Sequence, residues 1–135
     1  MHMCILVADN GNIYELLDRF TNYCYDKKPE SRFDYFGIGG NYEGALPLRE
    51  PRKLRKFFGL IPAGETSHVS VAKKSEIDEQ AFLVDPPAAL FFQDKLYECP
   101  MFADGEALKK WQDEFRSRYA EIPYDNMLQI VDAHI

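Results

Sequence analysis

The sequence predicts an α+β fold: a single domain with a mostly antiparallel sheet and helices packed on one face. Three observations carry this. Helical and strand patterns alternate only near the two ends of the chain, a run of strand patterns fills the middle, and too few crossover helices remain for a doubly wound parallel sheet. The 135 residues fit one domain. No repeat, low-complexity tract or long linker divides them. Ten Phe, eight Tyr and one Trp give the chain more to bury than a disordered sequence carries.

Met3-Cys4-Ile5-Leu6-Val7-Ala8 is a near-continuous apolar run closed by Asp9-Asn10-Gly11, the pattern of a strand buried on both faces and then a turn. Ile13, Leu16, Leu17, Phe20 and Cys24 recur at helical spacing, with Asn10 or Asn12 as cap and Lys27-Lys28-Pro29 as the end. Residues 33–44 begin strand-like and break at Gly37, Gly39 and Gly40; Leu46-Pro47-Leu48 resumes briefly. Pro51 suits the first turn of a short helix over 51–59 with Leu54, Phe57 and Phe58 inward, and 59–66 reads as loop. Val69 and Val71 alternate with His68 and Ser70 in a half-buried strand over 67–72.

One or two helical turns fit 75–82, before the break at Asp85-Pro86-Pro87. Residues 88–92 and 95–99 flank Gln93-Asp94 as a hairpin, although Gln-Asp is not the favoured turn pair. Leu108, Trp111, Phe115 and Tyr119 form the stripe of a helix over about 105–120, with Asp104 at its N-cap. A last strand covers 127–135. The first and last strands are expected side by side in one sheet, with Ile5 and Ile130 both interior.

The net charge of −6 argues against nucleic-acid binding, which needs clustered cations, and favours solubility or a basic protein partner. Surplus aromatics also allow self-association into a homo-oligomer. Cys4, Cys24 and Cys99 are odd in number and contain no Cys-x-x-Cys pair, so neither a zinc site nor a redox dithiol is signalled. The expected compartment is a reducing cytoplasm. Met3 to Ala8 is too short for a signal-peptide core, and no segment approaches the ~20 apolar residues of a membrane span. No cofactor and no metal are assigned.

Gly37-x-Gly39-Gly40 supports two readings. Successive glycine N–H groups can close around an anion, or the cluster marks a bulge or tight turn. It matches neither a Walker loop nor a dinucleotide fingerprint. Asp34, Tyr35, Asn41 and Tyr42 set polar groups beside aromatic faces, as a small pocket would, or they bond and pack a loop. The candidate binding residues are therefore Asp34, Tyr35, Gly39, Gly40, Asn41 and Tyr42.

Arg52 and Arg55, in a basic cluster with Arg49, Lys53 and Lys56, are candidates for gripping a phosphate or an acidic surface; the alternative is a solvated helix face. Asp132 and His134 share a strand face about 6–7 Å apart. They form a polar pair able to orient an imidazole for base work, or simply a polar strand end. Should the first strand lie alongside, His2 would join them, and two imidazoles with a carboxylate suit a divalent ion. No Ser or Cys nucleophile is identifiable beside them, and His68 reads as structural.

Phe33-Asp34-x-x-x-Ile38-Gly39-Gly40-x-x-x-Gly44 and Val131-Asp132-Ala133-His134-Ile135 together resemble a family of uncharacterised bacteriophage and bacterial proteins. That family has a Trp-Asp-aromatic-x-Ile-Gly-Gly-Arg-Trp-x-Gly motif, a hairpin near the middle and a C-terminal Val-Asp-Cys-His-Ile. The resemblance spans about half the chain in two blocks. Here Phe33 replaces Trp, Asn41-Tyr42 replaces Arg-Trp and Ala133 replaces Cys, so no role of that Arg or Cys carries over. It implies a fold and a phage or bacterial setting but no reaction. The expected function is a non-enzymatic binding or inhibitory module of phage or prophage type, acting on a host macromolecule. The alternative is a small-ligand or catalytic domain built on the glycine loop 37–44.

Overall fold

The computed structural model describes residues 1–22, 29–54 and 64–135. Its strands are β1 (His2–Ala8), β2 (Tyr35–Ile38), β3 (Leu46–Leu54), β4 (Gly64–Val69), β5 (Val71–Lys73), β6 (Ala89–Phe92), β7 (Lys95–Glu98) and β8 (Met127–His134). The α-helices are α1 (Ile13–Leu16), α2 (Glu79–Phe82) and α3 (Gly105–Glu121), with single 3₁₀ turns at Asp18–Phe20, Gly40–Tyr42 and Lys74–Glu76.

The main sheet runs β2-β8-β1-β6-β7, and β5 also pairs with β8. Among the described residues only β1–β6 is parallel; the other pairings in this sheet are antiparallel. The first and last strands are neighbours, as expected, and Ile5 and Ile130 are both fully buried. Because β1 occupies one flank of β8, β2 and β5 share the other end to end. β2 takes Val131 to His134 and β5 takes Met127 to Gln129, so the joint falls at Ile130. β3 and β4 form a separate two-stranded sheet.

Side-chain alternation explains why β1 is apolar throughout. Leu6 and Ala8 pack with Trp111, Phe115 and Tyr119 of α3, whereas Met3, Ile5 and Val7 pack with Ile13 and Leu17 around α1. The α+β class and the antiparallel majority stand; the expectation of helices on one face is corrected, since α3 and α2 cover one face and α1 the other. A strand buried on both faces requires cover on both.

Three local expectations also change. The first helix does not reach residue 24. Thr21 is extended, its hydroxyl donates to Leu17 O at 2.8 Å and it bridges to Phe33, so the chain leaves the helix after one turn of α1 and a 3₁₀ turn. Cys24 and the Lys27-Lys28 stop lie outside the described residues. The helix over 51–59 is not formed at its start: Arg52 to Leu54 pair with Gly64 to Thr66 as β3. Pro51 sits where the β3–β4 register shifts between Pro47 and Arg52, so its missing N–H interrupts little. Residues 55–59, including Arg55, lie outside the described residues.

The β6–β7 hairpin holds because Gln93 and Asp94 both adopt the left-handed backbone, φ 52° and 64°, as a type I′ turn requires. Arg19 anchors the turn through the Asp94 carboxylate at 3.2 Å. In α3, Trp111, Phe115 and Tyr119 are buried at i, i+4 and i+8, whereas Leu108 is exposed.

Candidate functional site

The segments 33–44 and 131–135 meet in space. Leu128 and Ile130 of β8 face the α3 side, and Asp132 and His134 continue that face to the strand end. Two cross-strand rows result. Tyr35, His134 and His2 lie opposite one another on β2, β8 and β1; Gly37, Asp132 and Cys4 form the next row.

The glycine loop closes on Asp132. Gly39 N donates to Ile130 O at 2.8 Å, at the joint between β2 and β5. Gly40 has φ +55°, and a Cβ there would lie 2.5 Å from Asp132 Oδ2. Asn41 N donates to that oxygen at 2.9 Å. The anion held by the loop is thus the chain's own carboxylate, and the tight-turn reading of the glycines holds. Burial pushes the Asp132 carboxyl up. The Asn41 N–H, the His2 hydrogen bond and the His2 and His134 charges outweigh that, and the group stays below its ordinary value.

Two Asp–His pairs stand side by side. His2 Nδ1 meets Asp132 Oδ1 at 2.8 Å, and His134 Nδ1 meets Asp34 Oδ2 at 3.3 Å. The two imidazoles lie edge to face, centroids 5.1 Å apart, and Tyr35 stacks on His134 at 4.8 Å. A carboxylate beside each Nδ1 favours the tautomer with the proton there, which leaves Nε2 as the ring's acceptor. Among the described residues no three His, Cys, Asp or Glu side chains converge as a metal cage.

Beside this cluster lies a cleft of about 720 Å³. Its floor is a row across three strands: Cys4 on β1, Ala88 just before β6 and Cys99 just after β7, where Cys99 N donates to Ala88 O at 2.7 Å. Ala88 is exposed, at the edge of the sheet where β6 begins. Tyr42 and His2 stand in the wall, and the Tyr42 hydroxyl donates to His2 O at 3.1 Å. Burial and then the Asp132 charge push the Cys4 thiol up to about 12, and burial raises Cys99. Both stay protonated at neutral pH, which is the wrong state for nucleophilic attack.

The rim carries Met101, 56% exposed, and Phe102, 86% exposed. Ala103 N donates to Pro100 O at 3.1 Å, which closes a four-residue turn with Phe102 at its third position and φ +58°. That position in a type II turn ordinarily takes Gly, because a side chain there costs roughly 1–2 kcal/mol.

The sequence-based candidates therefore divide. Asp34, Tyr35, Asp132 and His134 form the paired cluster; Gly39, Gly40 and Asn41 build the loop that holds Asp132; Tyr42 joins cluster and cleft. Arg52 stands apart from both, bonded to Glu76 at 3.0 Å and Val71 O at 3.4 Å. The missed residues are Ala88, Cys99, Met101 and Phe102. The signal for the last two was in the sequence: Pro100-Met101-Phe102-Ala103 puts bulky side chains where a turn wants Gly or Asn. No family model matches the chain, and neither a curated protein nor a solved structure matches it.

Proposed function

We propose that the chain is a non-enzymatic binding module, with the cleft and its Phe102 rim as the binding surface. The partner is a basic protein segment that presents a bulky apolar side chain. The observation that carries this is Phe102, a large apolar ring held in solvent on a backbone conformation that disfavours it. Strain of this kind persists where a site uses it. The cleft volume falls in the range of sites that take a side chain or a small molecule, roughly 300–1,000 Å³.

Charge selects the partner. Asp85, Glu98 and Arg32 line the cleft, Arg32 is tied to Glu98 at 2.8 Å so that, among the described residues, Asp85 is left as the unpaired side-chain charge of the three, and the chain carries −6 overall. Lysines and arginines flanking an apolar anchor would meet complementary potential. The family resemblance supports the setting: a phage- or prophage-type accessory protein acting on a host macromolecule in the cytoplasm.

Peptide display against the immobilised protein tests this. Selected peptides should carry Lys or Arg beside a large apolar residue. Ala88→Arg, which blocks the floor at an exposed position, should weaken them at least tenfold, about 1.4 kcal/mol, and leave the melting temperature unchanged. Peptides that are acidic, or that bind Ala88→Arg as they bind the parent, would sink the reading.

A further inference from the structure

We propose that His2 and His134 form an open binding site for one divalent first-row transition ion of the zinc, cobalt, nickel or copper type. This rests on the paired cluster and is independent of the cleft's partner. Both imidazoles come from adjacent, register-fixed strands, His2 opposite His134, with centroids 5.1 Å apart. Each Nδ1 is already engaged by a carboxylate, Asp132 or Asp34. That is the outer arrangement that metal-ligating histidines use: the carboxylate fixes the tautomer, aims the ring and raises the basicity of the free Nε2. Stacking on Tyr35 fixes the plane of His134 further.

The side chains remain accessible, 37% exposed for His2 and 31% for His134. His2 also lines the cleft, which gives a ligand or water a route to the ion. The carboxylates serve as outer partners, so the chain supplies two first ligands and water fills the rest. An imidazole pair suits borderline ions; calcium and magnesium prefer oxygen ligands.

Titration of the chelator-washed full chain with Co(II), followed by its visible absorption and by calorimetry, tests the site. One equivalent should bind. His134→Gln should weaken binding at least tenfold. Asp34→Asn, at an exposed carboxylate that touches no ion, should weaken it roughly 10–100-fold. His68→Gln and Cys99→Ser should leave Co(II) binding unchanged. The proposal fails if no saturable binding occurs, if His134→Gln or Asp34→Asn binds as the parent does, or if Cys99→Ser or His68→Gln abolishes binding.

Discussion

Gly40→Ala should lower the unfolding free energy by about 3–5 kcal/mol. The new Cβ would stand 2.5 Å from Asp132 Oδ2, 2.7 Å from Asp132 Cβ and 3.0 Å from Asp132 Cγ. Asp132 cannot yield cheaply, because Oδ2 accepts from Asn41 N and Oδ1 meets His2 Nδ1. The left-handed backbone, φ +55°, adds roughly 1–2 kcal/mol for any side chain. Each displaced hydrogen bond to a charged group adds roughly 1.5–3 kcal/mol. Gly37→Ala is the control: nothing lies within 4 Å of its added Cβ, so the change should stay within about 0.5 kcal/mol. Urea denaturation of both variants reads the difference. A loss below about 1 kcal/mol at Gly40 would mean that Asp132 does not staple the loop.

Lys74→Met should cost about 3–4 kcal/mol, since hydrogen bonds to a charged group contribute roughly 1.5–3 kcal/mol each. Lys74 is 2% exposed, and its Nζ donates to Tyr119 O at 2.9 Å and Ile122 O at 2.7 Å. Both carbonyls lie at the end of α3, where free acceptors collect; Tyr119 O also accepts from Ile122 N at 3.1 Å. The ammonium also lies over the rings of Tyr119 and Tyr124, at 4.7 and 4.6 Å. Met keeps the length of the stem, takes the ammonium donor from Ile122 O and leaves Tyr119 O with its bond from Ile122 N alone.

Burial lowers the Lys74 pKa from 10.5, against a smaller opposing pull from Glu79. Between the lowered folded value and 10.5 the unfolded chain binds more protons, so this group makes stability rise with pH in that window. Lys74→Met should lose that rise. Thermal melts across the alkaline range read it, and an unchanged slope would contradict the assignment.

The centre of the sheet was legible in the sequence because burial there is extreme. An apolar run such as Met3 to Ala8 fits a strand covered on both faces, and the Trp111-Phe115-Tyr119 spacing fits a helix lying on it. Where the chain was misread, nonlocal pairing overrode local pattern. Ile13, Leu17 and Phe20 keep their helical spacing, but it ends where Thr21 becomes extended and meets Phe33. Arg52 to Leu54 pair with β4 although Pro51 looks like a helix start.

The site was half legible. Asp34, Gly40, Asp132 and His134 stood out in the sequence, in the glycine segment and at the polar end of the last strand, and these do converge, since β2 and β1 flank the same strand. Which group the glycine loop would hold was not readable, because that depends on a register set 91 residues away, between Asn41 and Asp132. The cleft was not readable either. Its floor residue Ala88 is ordinary in sequence and matters because it stays exposed in the cleft.

If Phe102 holds a strained conformation for the sake of binding, removing its ring must separate stability from affinity. Phe102→Gly reads both in one preparation, with urea denaturation for stability and titration with a display-selected peptide for binding. Opposite signs are expected: stability higher by about 1 kcal/mol, as the left-handed backbone becomes unstrained, and peptide affinity lower by at least tenfold, about 1.4 kcal/mol. Unchanged affinity, or a loss of stability on removing the ring, would contradict that role for Phe102.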